Sequence, residues 1–508
     1  MNTPRLLHEL IAHAAARTPQ DIALVDGEQH IDYATLWQQV QDCASRLRAF
    51  DLPSRARVAI YLEKRSETII ACFGATLAGL VFVPINPLLK PAQVEHILRD
   101  CAVSVLISSA MRLETLAPTI SQCPALCRVA GVDFFSAPVP AATSGPQPVP
   151  DDSALAAIFY TSGSTGRSKG VMLSHRNLVV GAQSVAQYLE NRPDDVLLAA
   201  LPLSFDAGFS QLTTAFWSGA RVILLNYLVP RDVLLALQRH RVTGLTAVPP
   251  LYIQLAQLDW PAGCADSLRY FANTGGHMPR DILDRLRARA PAARPFLMYG
   301  LTEAFRSTYL PPTEVDRRPD SIGKAIPNVQ IHVLRPDGTP CDAEEPGELV
   351  HGGPLVSLGY WNNPEASDER FRPLPGSGER CVFSGDTVRR DAEGFLYFVG
   401  RRDEMIKTSG YRVSPTEIEE ALYASGQVGE CVAFGVPHAT LGQTIHVIAT
   451  SPQASEANLL AACRKTLPAY MVPSRIELRP GPLPRNPNGK LDRAELRAGC
   501  LAEAPQAN

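Results

Sequence analysis

The run Tyr160-Thr161-Ser162-Gly163-Ser164-Thr165-Gly166-Arg167-Ser168-Lys169-Gly170 lies between a short apolar segment, Ala156 to Phe159, and a helical pattern that starts near His175. Glycines let a backbone approach a ligand closely and adopt positive φ, while N–H groups, hydroxyls and a cation supply donors and positive charge. Such residues packed this densely between a strand and a helix describe a loop that meets phosphate. A polar surface turn is the plainer reading of a Ser/Gly cluster. The order strand, loop, helix is what favours the phosphate reading.

Spacing then separates the kinds of phosphate loop. A Walker A loop needs Gly, four residues, then Gly-Lys-Ser/Thr; counted from Gly163, Ser168 falls where the second glycine belongs and Gly170 where the hydroxyl belongs. The Gly-x-Gly-x-x-Gly pattern of kinases fails at Thr165. Residue for residue, the stretch resembles the loop of the adenylate-forming superfamily, which includes acyl-CoA synthetases, luciferases and nonribosomal peptide adenylation domains. On that resemblance Thr161, Ser162, Gly163, Ser164, Thr165 and Gly166 bind nucleotide and Lys169 is catalytic.

Composition narrows the alternatives. A chain of 508 residues exceeds what one hydrophobic core serves and divides into at least two domains. With 45% apolar and 19% charged residues it reads as a well-buried globular protein, and a formal net charge of -3 makes no electrostatic case for nucleic acid or anionic membrane. No run reaches the roughly eighteen apolar residues of a membrane span, and Met1 to Arg17 carries Glu9 and no apolar signal core. The expectation is a cytoplasmic protein. Eleven scattered cysteines in so large a chain suggest reduced thiols, and Cys123 with Cys127 has no partner pair for zinc.

Asp32 opens a helical pattern with Leu36, Val40, Cys43 and Leu47 on one face. Apolar runs then alternate with helix-like segments: Val58 to Leu62, Val81 to Ile85, Val103 to Ile107, Leu197 to Leu201, Val222 to Leu225, Tyr270 to Ala272 and Phe296 to Tyr299. Alternation of this kind implies parallel sheet wrapped by helices. A proline-rich stretch from Ser136 to Asp152 is a loop or linker leading into the phosphate loop. From Ile331 to Phe398 short strands take over, with hairpin turns at Pro336-Asp337-Gly338 and Asp391-Ala392-Glu393-Gly394, which suggests a smaller β unit closing a large domain.

The superfamily resemblance extends to further motifs. Gly385-Asp386-Thr387 and the segment Gly394 to Asp403 resemble the region where Asp386 accepts both ribose hydroxyls and Arg401 contacts the same sugar; a carboxylate can take two O–H donors. Tyr299-Gly300-Leu301-Thr302-Glu303 resembles the segment in which the tyrosine stacks on adenine, Thr302 meets the α-phosphate and Glu303 holds Mg²⁺. Asn273-Thr274-Gly275-Gly276 resembles the loop beside adenine, so Gly275, Gly276 and Gly300 join the nucleotide site. Gly347-Glu348-Leu349 and Gly359-Tyr360 match further motifs. Met405 to Glu419, followed by Pro484 to Asp492, resembles the small mobile C-terminal domain, with Asp403 at the hinge, Arg412 near the junction and Lys490 as the cation that swings in. The implied fold is α/β: a large N-terminal adenylation core over residues 1–402, with parallel sheets, helices and a small β unit, then a small mobile α+β lid over residues 403–508.

The implied activity is ATP-dependent activation of a carboxylic acid as an acyl-adenylate, then transfer to a thiol. The field of loop N–H groups, Mg²⁺ and Lys490 would offset repulsion between carboxylate and phosphate. In Phe205-Asp206-Ala207-Gly208-Phe209-Ser210, Asp206 stands where amino-acid-activating members pair the substrate α-ammonium, or else it caps the helix that begins near Gly208. Phe205, Ala207, Ser210, Met298 and Arg306 are candidate pocket walls; Arg306 could hold a second carboxylate or make a structural pair. The acceptor would be the phosphopantetheine of a separate acyl or peptidyl carrier protein, or CoA. Leu301 to Leu310, Arg318 to Pro327 and Tyr61 to Arg65 look most like AMP-forming acyl-CoA ligases of the exosortase A system. A catalytically silent nucleotide-binding scaffold is the remaining alternative, against which the joint presence of Lys490, Glu303, Asp386 and Lys169 argues.

Overall fold

The computed structural model describes residues 3–140, 151–161, 168–401, 404–408, 411–438, 441–467, 469–486 and 489–503. Ser162, Gly163, Ser164, Thr165, Gly166 and Asp403 lie outside the described residues, and Arg412 is described only as backbone of the strand Tyr411–Val413.

Two large sheets and one small one organise the chain. A seven-stranded sheet includes Leu155–Thr161 and Lys169–Ser174, which pair antiparallel on either side of residues 162–167, with the parallel strands Val81–Pro84, Arg57–Tyr61 and Val105–Ser108 beside them; the run expected between a strand and a helix therefore joins two paired strands, and the helix follows only after the second. A fourteen-stranded sheet begins with parallel strands, among them Val196–Ala199, Arg221–Leu224, Gly244–Ala247, Tyr270–Asn273 and Arg294–Tyr299. It then continues antiparallel through Thr308–Leu310 and Ser321–Ala325 into Leu396–Arg401, Arg380–Arg390, Gly347–Gly352 and Gln330–Leu334. The expected small β unit is therefore the far half of the same sheet. Local turn chemistry at Gly338 (φ +86°) and Gly394 (φ +87°) was readable in sequence, but the edge to which these hairpins attach depends on pairings across the chain.

Helices Tyr33–Arg48, Ser66–Leu77, His175–Tyr188 and Asp206–Ser218 fill the space between the large sheets, where Leu36, Val40, Phe73, Leu178, Phe209 and Phe216 join Val58, Phe82, Phe159, Val222 and Phe296 in one core. Asp32 caps the first of these, accepting from Thr35 N at 2.7 Å. Helix Asp206–Ser218 is buried on every side, as a helix wedged between two layers must be. At its start Gly208 is required: a Cβ there would lie 1.9 Å from the carbonyl oxygen of Pro202. The last hundred residues form their own five-stranded sheet with helices Pro415–Ala424, Glu456–Thr466 and Arg493–Glu503 and a separate apolar cluster around Ile418, Val447 and Leu459. All eleven cysteines are free, and only Cys127 is exposed. Among the described residues no helix is long and apolar enough to cross a membrane.

Candidate active site

The strand ends of both large sheets and the small C-terminal sheet surround a cavity of about 2140 Å³. Thr161, Lys169, Phe205, Asp206, Gly275, Gly276, Met298, Tyr299, Gly300, Thr302, Glu303, Arg306, Asp386, Arg401 and Lys490 all line it. Residues separated by hundreds of positions are thus brought to one space. Ala207 and Ser210, the other expected wall residues, face elsewhere. With Gln211 and Thr214 they form one helical face turned to an inner chamber of about 20 Å³.

The strand Arg294–Tyr299 delivers the centre of the site. After it, a single 3-10 turn (Thr302–Ala304) is followed by a reversal at Phe305, whose φ of 58° and ψ of −59° with the 2.6 Å bond from Arg306 N to Ala304 O make a γ-turn. A non-glycine residue held there costs about 1–3 kcal/mol. The ring is fixed against Gly181, where a Cβ would come within 2.5 Å of it. The turn aims Arg306 inward: its Nη1 donates to Asp206 Oδ2 at 2.9 Å, with side chains only 3% and 4% exposed. Thr302 Oγ1 donates to the other oxygen of Asp206 at 3.2 Å. Asp206 is the first residue of its helix and makes no side-chain cap, so its carboxylate serves this cluster and not the helix end.

A second cluster lies further along the cavity wall. Tyr299 donates its hydroxyl to Asp386 Oδ2, while Arg401 Nε lies 3.3 Å from Oδ1 in an ion pair. Oδ1 is buried yet receives no hydrogen bond. Burial pushes the Asp386 carboxyl above its usual range, against the Arg401 charge and the Tyr299 hydroxyl. A buried acceptor with spare lone pairs is what a sugar diol would satisfy.

Glu303 is half-buried, and Tyr360 donates its hydroxyl to Oε1 at 2.6 Å. Tyr360 was readable in sequence only as part of a Gly-Tyr motif, with no role attached. Its ring also lies 5.4 Å from Lys169 Nζ, so one tyrosine orients both the carboxylate and the cation. Among the described residues no group of three His, Cys, Asp or Glu could hold a metal unaided. Mg²⁺ bound with a nucleotide takes only one or two carboxylates and draws its other ligands from phosphates and water, and Glu303 fits that requirement.

Lys490 sits on the C-terminal unit in a tight turn, its N–H donating to Asn486 Oδ1 at 3.1 Å and its carbonyl accepting from Asn486 N at 2.8 Å. The residue is exposed and its side chain lines the cavity: Nζ lies 4.0 Å, and Cε 3.4 Å, from where a Cβ on Gly275 would be. Gly275 has φ +80°, a conformation that strains any other residue there, and a Cβ would be in van der Waals contact with Lys490. Desolvation between the cavity walls pushes Lys490 below the usual lysine range, with Asp206 as the strongest opposing charge. His277 and Glu420 form a further contact between the two units, 3.9 Å apart, that no sequence motif marks.

Similarity to known proteins agrees with this geometry. The family model of the AMP-binding enzymes matches residues 11–361, and that of the AMP-binding enzyme C-terminal domain matches residues 417–490. The L-proline–[L-prolyl-carrier protein] ligase of Pseudomonas fluorescens is 31% identical over 97% of the chain and 99% of its own length. Feruloyl-CoA synthase of Amycolatopsis is 32% identical, covering 95% and 96%. A linear gramicidin synthase of Brevibacillus parabrevis is 31% identical over 96% of the chain, which spans only 6% of that synthase. Among solved structures, ATP-bound MatB from Rhodopseudomonas palustris superposes with a TM-score of 0.88 at 27% identity over 97% and 99% of the two chains. The Bacillus subtilis o-succinylbenzoate coenzyme A synthetase with ATP and magnesium gives 0.84 at 27% identity over 96% and 98%. The chain therefore belongs to the AMP-binding enzyme family.

Proposed function

We propose that the protein activates a carboxylic acid with ATP and passes the acyl group to a phosphopantetheine thiol. A carboxylate oxygen attacks the α-phosphorus, the bond to pyrophosphate breaks, and an acyl-adenylate forms; a thiolate sulfur then attacks the carbonyl carbon and AMP leaves. Tyr299, Asp386 and Arg401 would hold adenine and ribose. Lys490 would place its charge on the oxygens that become more negative, where a preorganised cation is most effective. Mg²⁺ at Glu303 would supply charge neutralisation on the phosphates. We assign residues 1–402 to the adenylation core and 403–508 to a lid turning about Asp403, which would withdraw Lys490 and admit the thiol.

The observation that carries the proposal is the convergence of Asp206, Thr302, Glu303, Asp386 and Lys490 on one cavity. An amino acid is our preferred substrate. Asp206 keeps acceptor capacity for an α-ammonium after Thr302 and Arg306 are bonded, and a carrier-loading relative covers nearly the whole chain. That reading has the thiol on a separate carrier protein. A second reading, an acid without an ammonium and CoA as acceptor, is favoured by the Arg306 guanidinium that already balances Asp206. Pyrophosphate release over a panel of amino acids, each beside its N-acetyl derivative, and of plain acids separates them. Loss on N-acetylation supports the amino acid; equal rates for both forms overturn it. Transfer assays with CoA and with a pantetheinylated carrier protein then decide the acceptor.

A further inference from the structure

We propose that the helix Pro91–Asp100 clamps the phosphate loop, with Asp100 and His96 as positioning residues for nucleotide binding. The inference rests on the nucleotide reading of that loop. His96 and Asp100 are one helical turn apart and share a face. From it Asp100 Oδ2 accepts the hydroxyl of Tyr160, near the end of the strand that leads into the loop. His96 Nε2 lies 3.1 Å from the carbonyl oxygen of Ser168, where the chain leaves the loop. The His96 ring also meets Tyr160 edge-on at 6.2 Å. Both stems of the loop are therefore held by one face of one helix. Tyr160 is further fixed by Cys101, whose Sγ lies 3.1 Å from its hydroxyl oxygen; since that hydroxyl donates to Asp100, the thiol is the donor.

The same helix end reaches the other side of the cavity. Trp361 Nε1 and Asn362 Nδ2 donate to the Asp100 carbonyl oxygen at 2.8 and 2.7 Å. Trp361 follows Tyr360, the tyrosine that orients Glu303. Gly170 closes the assembly: a Cβ there would lie 2.7 Å from Ile158, 3.1 Å from Tyr160 and 3.3 Å from Trp361. One helix end thus sets the spacing between loop stems and carboxylate. Tyr160 and Ser168, which flank residues 162–167, are thus held in advance, and groups fixed before a ligand arrives lower the ordering cost of binding. Helix packing is borne by Val94, Ile97 and Leu98, which are buried, while His96 and Asp100 are half-exposed. Substitution at the clamp consequently spares the helix core.

The test is ATP affinity by calorimetry with magnesium present, together with acid KM and melting temperature, for Asp100→Ala, Tyr160→Phe, their double variant, His96→Ala and His96→Gln. Losing one tie is expected to weaken ATP about tenfold. The double variant should be no weaker than the worse single one, His96→Gln should recover most of the loss, and acid KM and melting temperature should stay within about twofold and a few degrees of wild type. Unchanged ATP affinity in every variant, additive losses in the double, or parallel losses in ATP affinity, acid KM and melting temperature would each overturn the clamp. A wild type that bound no ATP would defeat the nucleotide reading and the clamp with it; clamp-dependent ATP binding without turnover of any acid would defeat only the ligase reading.

Discussion

Two aspartate–arginine pairs line the same cavity and differ in how they are finished. Around Asp206 both carboxylate oxygens receive a donor, from Thr302 and Arg306, and both side chains of the pair are nearly sealed from solvent. Around Asp386 one oxygen accepts from Tyr299, the other receives no hydrogen bond, and the partner Arg401 is 44% exposed. The first pair is balanced within the protein, each oxygen keeping one further lone pair toward the cavity. The second is open: among the described residues nothing donates a hydrogen bond to its other oxygen. On the proposed function, the first pair would shape the acid pocket and the second would take the ribose hydroxyls.

The largest effect expected from this contrast is on stability. Arg306→Ala strands a buried carboxylate, and removing one partner of a buried pair costs about 3–5 kcal/mol; denaturant melts should show that loss. Arg401→Ala, by contrast, should cost no more than about 1 kcal/mol, as for an exposed partner, while weakening ATP about tenfold, the magnitude of one charge-assisted hydrogen bond. Equal stability losses in the two variants would erase the distinction between closed and open pairs.

The next effect concerns what approaches the pairs. Lys490→Ala should slow adenylation about 100-fold or more, as removal of one transition-state donor does, and leave thioester formation from a supplied adenylate nearly unchanged. Gly275→Ala should reproduce part of that loss, because a side chain at a backbone φ of +80° strains the turn against which Lys490 packs. Measuring both half-reactions in both variants checks this. Loss shared equally by the two half-reactions would contradict a visiting lysine.

The smallest effect is on pH dependence and touches the closed side. His351 is fully buried, its Nδ1 lying 3.0 Å from Oγ of Ser307, the residue after Arg306, and burial pushes it down to about 3. His8 and His175 form another buried pair, each pushed down to about 4 by burial. These rings are neutral in the folded protein, whereas in the unfolded chain they take up protons below about pH 6.5. The unfolded state then binds more protons, so stability should fall as pH drops from 6.5 toward 4. A His351→Asn variant should show a shallower acid decline of its melting temperature than wild type. An identical slope would remove His351 from this account.

What could be read in advance was what is local. The strands, the hairpin turns, the helix cap at Asp32 and most cavity residues lie in short motifs whose chemistry is carried by adjacent positions. The pairing of Arg306 with Asp206, 100 residues away, was open in sequence because it depends on a γ-turn at Phe305, and a phenylalanine carries no mark of positive φ. Ala207 and Ser210 turn to the inner chamber beside Met298 and Arg306 and not to the main cavity, because proximity to Asp206 along the chain is not proximity on a helix face. His96 and Asp100 belong to no motif and gain meaning only where their helix packs beside the loop.

The most direct test of the account is exchange of labelled pyrophosphate into ATP by the purified protein with magnesium, offered a panel of amino acids and plain carboxylic acids. Exchange that depends on at least one acid and is lost in Lys490→Ala is the result expected. Tight ATP binding with no exchange for any acid, or exchange that survives loss of Lys490, would contradict an adenylation site assembled from these residues.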